Sequence, residues 1–337
     1  MQASRTSIVA VLIAVELALI SIAIYSVSGA TPVIARGISF SGMHRDSFVA
    51  QPIAPIQVGA SAHVVVRDPD SRVVVNASND GLVHVVDKTS VVGAVWGREQ
   101  IAQVRVSHIA DGLLIERSGS GDGGFHFLFG GSPQRRIEIS VPSDASVEIQ
   151  KSSGADVSDL NGAVTVRSQD GHITLANLRG AVDAASSDGY VEASAVHSPS
   201  LTIASDDGHL GLHDISVATL NAHTDDGHVT AENVTVAGSS PTAAIHTGDG
   251  SIQFRGSLAA GGRYTIGSGD GRIEVGLPDN SNLSVSAHTS DGEIHANGNF
   301  RSNDNGANGS FKFGDGSGTL EVSSQDGSIT INTNGAI

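Results

Sequence analysis

Asp-Gly recurs through the carboxy-terminal half of this sequence, at Asp170, Asp188, Asp207, Asp226, Asp249, Asp270, Asp291 and Asp326. Repeated carboxylates invite divalent cations, and Ca2+ takes six to eight oxygen ligands. The nine-residue Gly-Gly-x-Gly-x-Asp spacing of calcium β-rolls is absent, however. The plainer reading is turn chemistry, in which each aspartate accepts turn amides and stays solvated. Histidine is the second candidate, with 14 residues. His172, His209 and His228 directly follow Asp-Gly, while His223, His246 and His288 stand three residues before an aspartate. His209 with His228, and His223 with His246, are expected to be neighbours on adjacent repeats. Two imidazoles beside an aspartate have the chemistry to ligate zinc or copper. Solvated surface histidine is again the plainer reading, so no metal ligand set is assigned.

Other chemistries find no support. With no cysteine there is neither a disulfide, a thiolate metal site nor a Cys nucleophile. No Gly-x-Ser-x-Gly elbow, His-Glu-x-x-His helix or phosphate-cradling loop occurs. Carbohydrate-cleaving β-helices line grooves with acids and aromatics, but aromatics are only 4% here. Tyr190, Tyr264 and Phe254 are expected to fill structural ladder positions. No catalytic, cofactor-binding or metal residue is assigned, and neither a cofactor nor an enzymatic activity is expected. The formal net charge of −16 repels nucleic acid and anionic lipid heads.

The elements that carry these residues follow from a repeat. The aspartates are spaced 18, 19, 19, 23, 21, 21 and 35 apart, the last gap holding a Gly/Asn-rich insertion near Asn297 to Gly318. Two residues before each aspartate stands Ser168, Ser186, Ser205, Thr224, Thr247, Ser268, Thr289 or Ser324. Three after it stands Ile173, Val191, Leu210, Val229, Ile252, Ile273, Ile294 or Ile329. Apolar columns alternate with mostly polar ones, which is the pattern of strands with one buried face. Each unit therefore reads as strand, Asp-Gly turn, strand and second bend. Glycine is expected to supply a positive φ, and the Ser/Thr hydroxyl to point inward and satisfy backbone groups at the corner. A hairpin meander has similar local pieces, but it does not demand the same residue type every ~20 positions; coils stacked in parallel do. One coil buries four or five aliphatic side chains at roughly 1.5–3 kcal/mol each. Ordering its backbone costs roughly 1–2 kcal/mol per residue. A lone coil fails, and its neighbours must supply the rest.

The expected fold class is thus all-β, a single-stranded, parallel β-helix-like solenoid with coils of about 18–23 residues, preceded by one transmembrane helix. Residues 8–27, IVAVLIAVELALISIAIYSV, are apolar save mainly for Glu16. A helix of about 20 such residues crosses the ~30 Å hydrocarbon core. Arg5 precedes this run, and Arg36 and Arg45 lie well beyond it, which favours an inside amino terminus and an outside body. A cleaved signal peptide ending at Ser28-Gly29-Ala30 is the rival, and it also exports the body. The expected organisation is an anchor over 1–28, a linker over 29–55 and the solenoid over 56–337. Within the solenoid, 56–146 is the irregular amino-terminal part or cap and 147–337 the regular repeats. Strand-like runs in the cap are 63–67, 72–75, 83–86, 101–106, 113–115 and 136–141. Between glycines, residues 119–131, GSGDGGFHFLFGG, read as a loop that either folds its aromatics onto the solenoid end or forms a partner-binding or membrane-touching tip.

The Ser/Thr-x-Asp-Gly-x-aliphatic units, as in Ser168-Gln169-Asp170-Gly171-His172-Ile173, resemble the bacterial DUF4097 family of adhesin-domain proteins. The lead-in Arg136-Ile137-Glu138-Ile139-Ser140-Val141-Pro142 and the tail FGDGSGTLEVSSQDGSITI over 313–331 are similar to it as well. The resemblance covers roughly residues 56–337. It implies a β-solenoid and frequent coupling to membrane segments, and it brings no catalytic motif. The expected function is a structural or interaction module of adhesin-like type. It is membrane-bound through the amino-terminal helix, extracytoplasmic, and faces an envelope protein or glycan partner but no nucleic acid. The rival readings are a glycan- or divalent-cation-binding module along the Asp-Gly ridge, and an envelope glycan hydrolase or lyase. The oligomeric state is not legible.

Overall fold

Two ladders of buried aliphatic side chains organise the protein, a computed structural model that describes residues 53–59, 61–88, 94–96, 103–118, 127–129, 135–297, 301–303 and 307–333. The apolar run 8–27 and the linker up to residue 52 lie outside these residues. Among the described residues there is no helix, and so none long and apolar enough to cross a membrane. The structure divides into two units. The larger spans Asp46–Val92, Gln100–Gly123 and Gly131–Ile337. The smaller contributes to the described residues only a two-stranded antiparallel ribbon, Ala94–Trp96 with Phe127–Phe129.

In the larger unit the repeats stack as parallel coils. Strand Val164–Ser168 turns at Asp170-Gly171 into Ile173–Ala176, bends, and returns as Val182–Ser186 beside its own start. Like residues therefore meet in register. One ladder runs Leu113, Val64, Val147, Val164, Val182, Leu201, Leu220, Ala243, Tyr264, Leu320, Val285. The second runs Ile137, Val73, Ala155, Ile173, Val191, Leu210, Val229, Ile252, Ile273, Ile329, Ile294. Every member is buried, so the apolar columns of the sequence are continuous internal rows. Packing is complementary along them: small Ala243 lies under Tyr264, the largest fully buried side chain. A short third side follows the second bend, where Val196, Ile215 and Val234 pair in register.

The stacking order departs from chain order at both ends. The carboxy-terminal coil, Gly318–Ser324 with Ile329–Asn332, pairs on one side with Arg263–Ser268 and Ile273–Gly276. On its other side it pairs with Leu283–Thr289 and Ile294–Ala296. The Asp326 corner therefore stands between those of Asp270 and Asp291. At the other end His63–Arg67 and Arg72–Ala77 lie between the coil of 112–141 and that of 146–158. In each case the first or last coil in sequence is slotted one place in from the outermost.

Antiparallel strands close the outermost coils. Gln103–Ile109 pairs with Gly112–Ser118, and His84–Asp87 with Arg136–Val141. At the other end Asn308–Lys312 pairs with Leu283–Thr289, and Arg301–Asn303 follows it. A hairpin partner masks a parallel edge that otherwise offers unpaired amides to another chain. The strand-like runs of the cap all contain strand, the fourth beginning at Gln103. Of the expected loop 119–131, residues 127–129 are strand and the remainder lie outside the described residues.

Candidate functional site

The Asp-Gly corners form the most regular polar feature of the solenoid, and the hydroxyl column holds them together. Ser205 is typical. The Gly208 N–H donates to its Oγ at 2.9 Å, and its hydroxyl lies 2.9 Å from the Gly189 carbonyl one coil below. Thr224 repeats this with the Gly227 N–H at 3.1 Å and the Gly208 carbonyl at 2.9 Å. Each hydroxyl so satisfies one amide of its own turn and one carbonyl of its neighbour. The chain of contacts also follows the spatial order, since Ser324 donates to the Gly271 carbonyl and Thr289 to that of Gly327. All eight hydroxyl residues are buried.

Two expectations about these corners are corrected. The turn amide goes to Ser or Thr and not to the aspartate, whose side chain is exposed at all eight positions. At the Asp80-Gly81 and Asp315-Gly316 turns, outside the column, the aspartate does accept a nearby amide, that of Leu82 and that of Ser317 respectively. Nor does glycine serve by positive φ: Gly81 has φ 71°, but no glycine of the eight corners is in that region. Their need is space. A Cβ on Gly208 would drive into the Gly189 carbonyl, and the same close approach recurs up the column.

Sequence reasoning passed over the second corner. Asp159, Asn177, Ala195, Asp214 and Asn233 hold φ between 51° and 62°, the left-handed region that Asn and Asp tolerate best. Asn177 donates its side-chain amide to Asp159 at 2.7 Å, and Asn233 donates likewise to Asp214. The signal was present, because four of these residues stand seven after an Asp-Gly aspartate.

The histidine columns meet as expected. The His209 and His228 rings stack at 5.0 Å and those of His223 and His246 at 5.6 Å, all four exposed. His209 Nδ1 accepts the His228 N–H at 3.3 Å, and His228 Nδ1 that of Ser251 at 3.2 Å. His223 Nε2 sits 3.0 Å from Asp225 Oδ1. His288 instead pairs with Asn308. Among the described residues no group of three or more His, Cys, Asp or Glu is arranged to hold a metal ion. Tyr190 stands in a ladder position on the outside of the solenoid, exposed and stacked on His172 at 3.6 Å. Phe254 and Tyr264 are buried. Burial pushes the Tyr264 hydroxyl up to about 12, and the hydroxyl donates to the Ala259 carbonyl at 2.7 Å.

One ionic cluster is buried. Arg117 donates through Nε to Asp68 at 2.7 Å and through Nη1 to Asp87 at 2.8 Å, with side chains at most 7% exposed. Ser71 completes it by donating to Asp68 at 2.7 Å. Burial works against the guanidinium charge, but the bonds from Asp87 and Asp68 more than offset it and leave the pKa raised. The cluster fills the amino-terminal corner, where a Ser/Thr-x-Asp-Gly unit is lacking. No sequence pattern connects residues so far apart.

Comparison with known proteins bears on the solenoid from residue 113 onward. The family model described as Toastrack DUF4097 matches residues 113–332. No curated protein matches the chain at a significant level. Among solved structures, a candidate cell adhesion protein from Clostridium sporogenes is 12% identical. Its match covers 81% of this chain and 92% of that one, with a TM-score of 0.21. A candidate adhesin from Bacteroides fragilis is 13% identical over 84% of this chain and 96% of that one, with a TM-score of 0.33. At these values neither structure transfers a function.

Proposed function

Since the chain belongs to the Toastrack DUF4097 family, we propose that it is a structural or interaction module of the cell envelope, held at the membrane by residues 8–27 with its solenoid on the extracytoplasmic side. The observation that carries this reading is the stack of coils itself. Its polar groups at the Asp-Gly corners are consumed in holding one coil to the next, as at Ser205 and Thr224. Its outward positions, such as Thr202, Asn221 and Ala244, form flat strand surfaces without a converging set of reactive side chains. A long face suits recognition of an extended partner, protein or glycan, by many weak contacts. The acidic surface suits a partner that is not anionic, which sets nucleic acid aside. We read no catalysis into the chain. Cation binding along the aspartate ridge is the weaker alternative, because among the described residues no group of three or more His, Cys, Asp or Glu is arranged to hold a metal ion.

The test uses the full chain in its own cells, with a photo-crosslinking residue at Asn221 or Ala244 and a carboxy-terminal tag. Discrete adducts with an envelope protein or glycan are expected, together with loss of the tag when intact spheroplasts meet an external protease. A tag that survives the protease, or an absence of adducts from every outward position tried, overturns the reading.

A further inference from the structure

Asp-Gly is a dipeptide in which a protein backbone rearranges readily, because glycine has no Cβ to keep its nitrogen from the aspartate side chain. That nitrogen attacks the aspartate Cγ, the carboxyl OH and the amide hydrogen leave as water, and a succinimide ring closes. Water then opens the ring at the main-chain carbonyl. The chain continues through Cβ as isoaspartate, with its mass unchanged and its backbone one atom longer. The attack needs a free glycine N–H and a peptide able to turn. The eight solenoid corners offer neither. Every corner glycine donates its N–H to the hydroxyl three residues back, at 2.9–3.3 Å. Each is also pressed against a carbonyl of the neighbouring coil, so closely that a Cβ would overlap it.

Asp80-Gly81 is built differently. Both residues are exposed, Gly81 has φ 71°, and the space where its Cβ would stand is open. Among the described residues no acceptor takes the Gly81 N–H. The Leu82 N–H and His84 Nε2 fold the Asp80 carboxyl back over this peptide, at 3.0 and 2.9 Å, and His84 sets an N–H donor on the oxygen that departs. The other Asp-Gly glycines outside the column are engaged: Gly112 lies in a strand paired on both flanks, and Gly316 donates to the Phe313 carbonyl at 3.1 Å. From this contrast we infer that Asp80-Gly81 is a site of spontaneous isoaspartate formation, and that the Ser/Thr column shields the eight corners from the same reaction. The shield matters because a corner shares its register with a coil on either side, and one added backbone atom shifts it against both. At residue 80 the added atom enters only the turn before His84–Asp87, a strand that masks an edge.

The test ages the full chain, in detergent micelles, for weeks in warm neutral buffer made with heavy-oxygen water, which labels every aspartate that passes through the ring. Digestion with a protease that cuts before aspartate but not before isoaspartate, followed by mass spectrometry, then reads each site. Label and blocked cleavage at residue 80 are expected about five- to tenfold above any corner, the factor that one hydrogen bond supplies. In urea the sites are expected to react alike. Ser205→Ala frees the Gly208 N–H and is expected to raise isoaspartate at Asp207 while Asp188 and Asp226 stay low; Ser205→Thr keeps all three low. Native corners that react as fast as residue 80 overturn the inference. So does a contrast that persists in urea, because it then lies in the flanking sequence. A rise at Asp188, Asp207 and Asp226 together in Ser205→Ala moves the protection from the hydroxyl to coil packing and overturns the shield as well.

Discussion

Between Val164 and Gly276 each coil lies on the one that precedes it in the chain, whereas at both ends of the solenoid the order is exchanged. The difference separates two problems. A coil in the middle needs only two neighbours like itself, and the Ser/Thr-x-Asp-Gly corner supplies the same bond on each side. A terminal coil lacks one neighbour. Here each terminal coil of the sequence gains two by slotting inward, and the exposed place passes to a coil masked by antiparallel strands. The corner chemistry changes as well, from neutral hydroxyls in the middle to the buried Arg117, Asp68 and Asp87 cluster at the amino-terminal end.

The sharpest way to break this contrast is to delete one coil from each region. Removal of residues 207–225 takes out one 19-residue period and rejoins Asp206 to Asp226, restoring the same corner sequence. The product is expected to fold with one coil fewer. Removal of 318–337 strips a parallel partner from both 263–276 and 283–296, and protease digestion is expected to consume everything beyond residue 277. Equal protease resistance of the two products would erase the distinction drawn between the regions.

Arg117→Leu attacks the ionic corner next. It leaves two buried carboxylates without their shared cation, at a cost of about 3–5 kcal/mol. Hydrogen exchange over 63–77 is expected to accelerate while that over 191–224 stays as it was. Uniform acceleration would show that the end and the middle unfold as one.

Tyr264 offers a pH handle inside the regular stack. Its pKa is raised to about 12 in the folded protein, so the neutral hydroxyl is the form the fold stabilises. Its contribution is complete below pH 10 and is lost as pH rises toward 12, a swing of about 2–3 kcal/mol. Urea unfolding of the native chain should weaken over that window more than that of Tyr264→Phe; parallel curves would refute the assignment.

The smallest effects discriminate within a single corner. Thr224→Val strands the Gly227 amide and the Gly208 carbonyl, at about 1–3 kcal/mol. Asp226→Asn, two residues away and exposed, is expected to change stability by less than about 0.5 kcal/mol. The reverse ranking by urea midpoint would return the turn to the aspartate.

Much of the regular stack could be read from sequence because its columns have one cause each. Ser205 and its equivalents are buried polar groups in fixed geometry, and Ile173 and its equivalents are one buried row. Asp207 and its equivalents were legible as a column but misread in role, since Asp and Ser both suit turns and only geometry shows which takes the amide. Glycine was misread for a related reason: close approach and positive φ select the same residue. The exchanged ends could not be read at all. Every coil offers its neighbours nearly the same ladder, so the columns establish that coils stack without fixing in what sequence. The 35-residue gap before Asp326 looks like an insertion, and it is the excursion that carries the chain around one coil and back.

Those exchanged ends bear on how the solenoid carries load. Tension entering before His63 or leaving after Asn332 acts on a coil held along both flanks. Such a coil cannot unzip one hydrogen bond at a time from a free margin; it has to shear past two partners at once, with both rows of bonds strained together. A tether at either terminus therefore pulls on a mortised joint.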